Sequence, residues 1–383
     1  MKIGIITQPL ENNYGGLLQN FALQQILKSM GHDVITIDQS SIHLTRYRMI
    51  VSNIKTLMLR LVGRGKNRKF YVRGILKYKQ ICKQYSVISK YNKQFIDRYI
   101  EKSHKINTLK ASREFVINNG INALIVGSDQ VWRPSYNARI SHSYLDFAKG
   151  VNVRKIAYAA SFGVDYWEYN EEETIKCRSL VHLFDAISVR ESTAVELCRD
   201  YLGIDAVLVL DPTLLLDKHE YVKLIDQEGV ACSEGDLMTY ILDKSEKKSK
   251  IITEVSQKLG LSPFSVMPRS ADLDKELDKC VFPGVLKWLR GFLDAKFVIC
   301  DSFHGAVFSI IFNKPFLIIG NKERGMSRFH SLLSIFDLES RLIVDDSDLS
   351  IVNNTIDWDA VNEKMVGLKS YSISYLKRGL ESI

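Results

Sequence analysis

The sequence predicts an α/β protein built of two Rossmann-like domains. Three observations carry that expectation. The chain opens as β-α-β: the apolar run "IGII" (3–6), the stretch "GGLLQNFALQQILKSMG" and a second run, "DVITID" (33–38). That order implies parallel strands. Later apolar runs end in glycine or polar residues, as buried parallel strands do where ligands meet their carboxyl ends. Finally, 383 residues are enough for two domains with ample core.

Leu18, Phe21, Ala22, Ile26 and Met30 recur near the helical period, so the first helix follows "IGII". Gly31 suits its C-terminal cap. Residues 46–105 read as irregular helix, interrupted by Gly63, Gly65 and Gly74. Strands resume at "ALIVGSD" (123–129), "KIAYAASFG" (155–163), "AISVRE" (186–191) and "AVLVLDPT" (206–213), with the helix "ESTAVELCRDYLG" between the last two. A second series follows: strand "DLMTYIL" (236–242), helix "KKSKIITEVSQKLG", strands "FSVMP" and "KFVICDSFHG", helix "AVFSIIFNK", strand "PFLIIG" and helix "RFHSLLSIF". The closing "WDAVNEKMVGLKSYSISYLKRGLESI" reads as a helix and is a candidate to pack back on the first domain. The expected division is 1–225, carrying a basic helical insertion at 46–105, and 226–383.

Composition narrows the class. At 46% apolar and 25% charged residues the chain reads as soluble and folded. It has no uncharged apolar run long enough to span a bilayer. "MKIGIITQPL" lacks the plan of a signal peptide, so a cytoplasmic location is expected. The six cysteines form no CxxC pair, and the eight histidines have no metal-binding spacing; no metal site is expected. Residues 46–105 hold 17 Lys or Arg against Asp97 and Glu101, a charge of +15, which leaves 8 − 15 = −7 for the remainder. Such a segment suits an anionic membrane surface, a lipid-linked phosphate or nucleic acid; alternatively it is a solvated helical face. No nucleic-acid reader motif accompanies it, so nucleic acid is not an expected partner.

Several strand ends carry candidate chemistry. Asn13, Tyr14, Gly15 and Gly16 lie between the first strand and helix, where bare N–H groups favour an anion or a sugar hydroxyl. The turn is neither GxGxxG nor a Walker loop, and tight packing alone is the competing explanation. "VGSDQVWRP" offers Ser128, Asp129, Gln130 and Trp132, the last a flat face for a sugar; Asp129 also suits a helix cap. Arg190 in "SVRES" suits either a carboxylate or phosphate ligand, or a salt bridge. Asp211 in "LDPT" is as suited to bonding turn N–H groups as to chemistry. In "ICDSFHGAVF", Asp301, Ser302, His304 and Gly305 gather at one strand–helix junction, which favours proton transfer by the histidine. Arg324 and Arg328 follow the next strand and can add an anion contact.

Together "NNYGGLLQNFALQ", "VGSDQVW", "YAASFG", "SVRE", "LDPT", "DSFHGAVFSIIFNKPF" and "RFHSLL", in order from residue 12 to 333, resemble the polysaccharide pyruvyl transferase family. The resemblance implies a two-domain fold akin to the GT-B glycosyltransferases. It implies transfer of pyruvate from phosphoenolpyruvate to a hexose of a surface polysaccharide or its lipid-linked precursor, giving a cyclic ketal, with no cofactor. It makes His304 the general acid, with Asp129 or Asp301 orienting or deprotonating a hydroxyl, and Arg190 a donor contact. Some family members carry an Arg two positions before the histidine; here that position is Ser302, with Arg324 or Arg328 as possible compensation. With the basic 46–105 segment to bring the enzyme to a lipid-linked acceptor, peripheral attachment at the inner face of the cell membrane is a further expectation. The alternatives are a GT-B glycosyltransferase using a nucleotide-sugar and a non-catalytic carbohydrate-binding protein.

Overall fold

The computed structural model of the chain describes residues 1–39, 72–137, 139–320, 325–344 and 349–381, with the backbone alone for 72–79. Of the basic insertion expected at 46–105, the part before residue 72 lies outside the described residues, as does Arg324.

The first sheet comprises β1 (Lys2–Ile6), β2 (Asp33–Thr36), β3 (Ala123–Val126), β4 (Arg154–Ala160), β5 (Ala186–Val189) and β6 (Val207–Leu208). All its pairings are parallel, in the order β2-β1-β3-β4-β5-β6. Every residue of β3 is buried, because helices cover both faces of a parallel sheet. Between β1 and β2 runs α1 (Tyr14–Ser29). The described part of the insertion supplies α2 (Val72–Ile88) and α3 (Lys90–Tyr99), and α4 (Leu109–Asn118) leads into β3. Then come α5 (Glu171–Val181), α6 (Ser192–Leu197) and α7 (Pro212–Leu215). Asn170 and Glu173 form a reciprocal capping box that starts α5.

The chain crosses to the second sheet through α8 (Lys218–Gln227). That sheet comprises β7 (Leu237–Tyr240), β8 (Pro263–Ser265), β9 (Phe297–Cys300), β10 (Phe316–Ile319) and β11 (Leu342–Ile343), parallel throughout in the order β11-β10-β9-β7-β8. Its helices are α9 (Glu246–Leu259), α10 (Val285–Asp294), α11 (Phe303–Ile311) and α12 (Ser327–Ile335). The closing helix α13 (Trp358–Glu381) returns to the first sheet. There Ser372 Oγ accepts from Leu210 N at 3.0 Å, and Gly379 lies against Ala186 and Ile156.

One apolar cluster runs through both domains, joining α1, α8 and α10. Tyr14 belongs to it. Its ring stacks on Trp288 at 5.7 Å and its hydroxyl donates to Pro283 O at 3.2 Å. The expectation that Tyr14 binds substrate is therefore corrected: it is 1% exposed and seals the domains together.

Each sheet has one place where its strand order reverses, β1/β3 in the first and β7/β9 in the second. Open parallel sheets bind ligands in the crevice outside such switch points. Residues following the carboxyl ends of these four strands line a single cleft.

Candidate active site

The cleft holds about 330 Å³. Asn12 and Asn13 enter from the β1 side, Asp129 and Gln130 from β3, Tyr240 and Leu242 from β7, and Asp301, Ser302, Phe303 and His304 from β9. Tyr136 and Arg328 complete the lining. A larger cavity of about 830 Å³ opens between α3 and α10, but it gathers none of these strand-end groups. The smaller one gathers the polar strand-end groups and is the candidate active site.

The Asn13–Gly16 turn is built to admit the second domain. Asn13 caps α1 by accepting from Gly16 N at 3.1 Å, and its Nδ2 donates to Asp129 Oδ2 at 3.0 Å. Gln19 Oε1 accepts from Ser128 N at 2.8 Å, tying the helix to the β3 turn. A Cβ on Gly15 would lie 2.0 Å from His304 Nδ1. Glycine is present because the imidazole rests on that backbone.

His304 sits in the first turn of α11. Ser302 caps that helix by accepting from Gly305 N at 2.9 Å. A Cβ on Gly305 would meet Cys300 Cβ at 2.7 Å, so glycine lets the helix close on β9. His304 Nε2 is buried and lies 3.8 Å from Asp211 Oδ2.

Behind the cleft lies a buried charge cluster. Arg190 donates to Asp211 Oδ2 at 2.7 Å and to Asp129 Oδ1 at 3.0 Å, with Glu191 at 3.5 Å. Burial works against the guanidinium, but Asp129, Asp211 and Glu191 outweigh it and raise its proton affinity. Burial likewise pushes Asp129 up, yet Arg190, His304 and Arg328 together hold it below the usual carboxylate value. Asp211 is also held low: His304, Arg190 and Thr213 overcome its burial. Glu191, though near Arg190 and bonded by Ser161 Oγ, is dominated by burial and raised. Arg328 is pushed down to about 10, by burial first and then by Arg190. Glu191 and Asp129 offset this only in part, and a desolvated cation lining the cleft suits an anionic ligand.

Several sequence expectations need correction. Arg190 is 4% exposed, does not line the cleft, and lies beneath the Phe303 ring at 4.3 Å. It braces two carboxylates where a donor contact was expected. Trp132 is fully buried, stacked on Tyr144 at 5.0 Å with Nε1 donating to Ser143 O, so no sugar reaches it. Ser128 is also fully buried, with its hydroxyl against Ala159 O and Asp211 Oδ2. Asp301 lines the cleft, but its carboxylate accepts from Leu242 N, Asp243 N and Lys248 Nζ, the last at 2.6 Å. It pins the turn after β7 and is not placed to move a proton. Asp129, Gln130, Asn13, Ser302, His304 and Arg328 do come together in the cleft. Asn12, in the same turn as Asn13, joins them, whereas Tyr136, Tyr240, Leu242 and Phe303 were not anticipated. Of these, only Phe303 stands among the motif residues closely enough to have been found.

Among the described residues no group of three or more His, Cys, Asp or Glu is arranged to hold a metal ion, and no helix is long and apolar enough to cross a membrane.

The architecture has known counterparts. UDP-GlcNAc 2-epimerase from Methanocaldococcus jannaschii, in complex with UDP-GlcNAc and UDP, is similar with a TM-score of 0.51 and 12% identity, over 99% of each chain. A glycosyltransferase from Rickettsia africae gives 0.51 at 10% identity, over 100% of this chain and 99% of that one. MnaA from S. aureus with UDP gives 0.50 at 12% identity, over 100% and 97%. At such identities the likeness is one of fold, the two-domain GT-B-like arrangement. No curated protein sequence matches the chain significantly. The family model for polysaccharide pyruvyl transferase matches residues 13–323, from the Asn13 cap through β9, His304 and β10. With most of its length matched and the matching strand ends gathered in one cleft, the chain belongs to the polysaccharide pyruvyl transferase family.

Proposed function

We propose that the chain transfers pyruvate from phosphoenolpyruvate to a hexose of a surface polysaccharide or its lipid-linked precursor, closing a cyclic ketal. The observation that supports this reading best is the charge pattern of the cleft: an imidazole at a helix N-terminus and a buried, desolvated Arg328 share it with an ionised Asp129. Phosphoenolpyruvate brings a carboxylate and a phosphate, which Arg328 and the first N–H groups of α11 suit. A proton added to the terminal enol carbon leaves an electrophilic centre at the phosphate-bearing carbon. One sugar hydroxyl adds there and loses its proton. A second hydroxyl displaces phosphate, which leaves with the second proton. His304 supplies the first proton and recovers one from the attacking hydroxyl. Asp129 is held too acidic to be a strong base; it orients the hydroxyls by accepting their hydrogen bonds.

The acceptor we propose is lipid-linked, and the basic 46–105 segment would bring the enzyme to anionic lipid at the inner face of the membrane. The test is incubation with phosphoenolpyruvate and a panel of lipid-linked or nitrophenyl hexosides. The expected result is inorganic phosphate released one-for-one with a pyruvyl adduct seen by mass. A glycosyl adduct from a nucleotide-sugar, with none from phosphoenolpyruvate, would replace this reading with that of a glycosyltransferase. Hexoside binding with turnover of neither donor would leave a carbohydrate-binding protein.

A further inference from the structure

We infer that Asp211 is the positioning residue for His304, a first-domain carboxylate that orients a second-domain imidazole across the domain boundary. The inference rests on the reading of His304 as the proton donor. Its grounds are geometric. Asp211 Oδ2 and His304 Nε2 are 3.8 Å apart, both groups are buried, and Nε2 has no hydrogen-bond partner. Asp211 itself is rigidly held: Thr213 N and Thr213 Oγ1 donate to Oδ1 at 3.0 and 2.7 Å, and Arg190 donates to Oδ2 at 2.7 Å. The remaining place on Oδ2 faces Ser128 Oγ at 3.0 Å, but that hydroxyl also lies 2.8 Å from Ala159 O. One hydroxyl proton cannot serve both acceptors. When Ser128 turns to Ala159, Oδ2 is left able to take a proton from Nε2.

An approach of about 1 Å would turn the present contact into a hydrogen bond. The two partners stand on different domains, so closure of the cleft on its ligands supplies that movement. Gly15 permits it, because the imidazole slides over bare backbone. Even at 3.8 Å the carboxylate favours the tautomer with its proton on the nitrogen facing it, so the pair sets which ring nitrogen faces the cleft before any ligand arrives. With Nε2–H committed to Asp211, Nδ1 is left to exchange the proton with substrate. The other charges around the imidazole do not duplicate this role. Asp129 interacts with it electrostatically but is bonded to Asn13 and Arg190. Arg328 lines the same cleft with like charge, and Arg190 lies behind Phe303. Asp301 is matched by Lys248.

The test is NMR of the full chain carrying 13C,15N-labelled histidine, without substrate, at a pH where the imidazole is neutral. The His304 signals are assigned by their loss in H304Q. In the wild type, the neutral imidazole is expected to carry its proton on Nε2. In Asp211→Ala, which removes the acceptor, that tautomer preference is expected to be lost. A neutral tautomer protonated on Nδ1 in the wild type overturns the inference, as does an unchanged tautomer ratio in folded D211A. The wild-type measurement needs no variant of Asp211, so misfolding of D211A leaves the inference testable. Because no donor is present, the outcome judges the pair whether or not pyruvate is the group transferred.

Discussion

At residue 15 the chain has no room for a side chain, and that constraint links the opening turn to His304. A Gly15→Ala methyl must displace the His304 ring, whose Nδ1 it would approach to 2.0 Å. The ring can swing into the open cleft, so the melting temperature should change little. Turnover should fall by roughly 10²-fold, in line with His304→Ala, the usual scale for losing a general acid or base. Normal turnover in G15A would separate the turn from the chemistry. Arg190 makes the opposite prediction, since it supports the buried carboxylates without lining the cleft. Arg190→Gln removes the guanidinium bonded to both Asp129 and Asp211 and should lower stability by about 3 to 5 kcal/mol. The pH dependence follows from the signs. Asp129 and Asp211 are both held below their ordinary value of 3.8, so their contribution is full above that value and is lost as pH falls through it and below. Glu191 is raised, so its ionisation opposes folding at neutral pH and that penalty eases on acidification. Melting curves between about pH 3 and pH 7 should show an acid-labile wild type and a flatter, lower profile for R190Q. Equal acid sensitivity in both would mean Arg190 is not what holds the carboxylates ionised.

At the scale of elements, the cleft is the meeting of two strand-to-helix junctions, β1 to α1 and β9 to α11, each started by a side-chain cap. Asp301 belongs to the scaffolding of the second. Asp301→Asn removes the partner of buried Lys248 and an acceptor from Leu242 and Asp243. We expect a loss of about 3 kcal/mol or more, with turnover per folded molecule within roughly tenfold of the wild type; a loss as deep as that of a general acid would restore Asp301 to the chemistry. The elements were more legible in the sequence than the roles. Runs such as "ALIV", "FVIC" and "FLII" are buried throughout, and an uninterrupted apolar run is what a covered parallel strand requires. The two-residue β11 carries too little pattern to stand out, and α8 lay in a stretch of mixed character. Side-chain roles failed for a different reason. Strand-end position says that Trp132 and Arg190 are near a ligand site, but not which way they point. That direction is set by partners distant in sequence, Tyr144 for one and Asp129 for the other.

At the scale of the whole molecule, α2 and α3 brace both domains against the cleft wall. Asn92 Nδ2 donates to Asn12 Oδ1 at 2.9 Å, Phe282 N to Ile88 O at 2.9 Å, and Gln84 Nε2 to Leu273 O at 2.9 Å. Lys83, Lys90 and Lys93 on these helices are exposed, whereas Arg98 and Lys102 pair with Glu228 and Asp97. These exposed cations, of which Lys90 lies over the Tyr91 ring at 4.5 Å, are on elements that touch the Asn12 turn, and a surface that engages them sits close to the cleft. Anionic lipid attracts such residues by about 1 kcal/mol each near the surface, less as salt screens them. Replacing Lys83, Lys90 and Lys93 by Gln should thus weaken co-sedimentation with phosphatidylserine vesicles by up to about 10²-fold at low salt. Binding to neutral vesicles, and turnover on a soluble hexoside, should be unchanged by the same substitutions. Raising the salt should bring wild type and variant together, because only the screened term differs between them. Sedimentation that ignores lipid charge and salt alike would sink the electrostatic account and leave these helices with the bracing role alone.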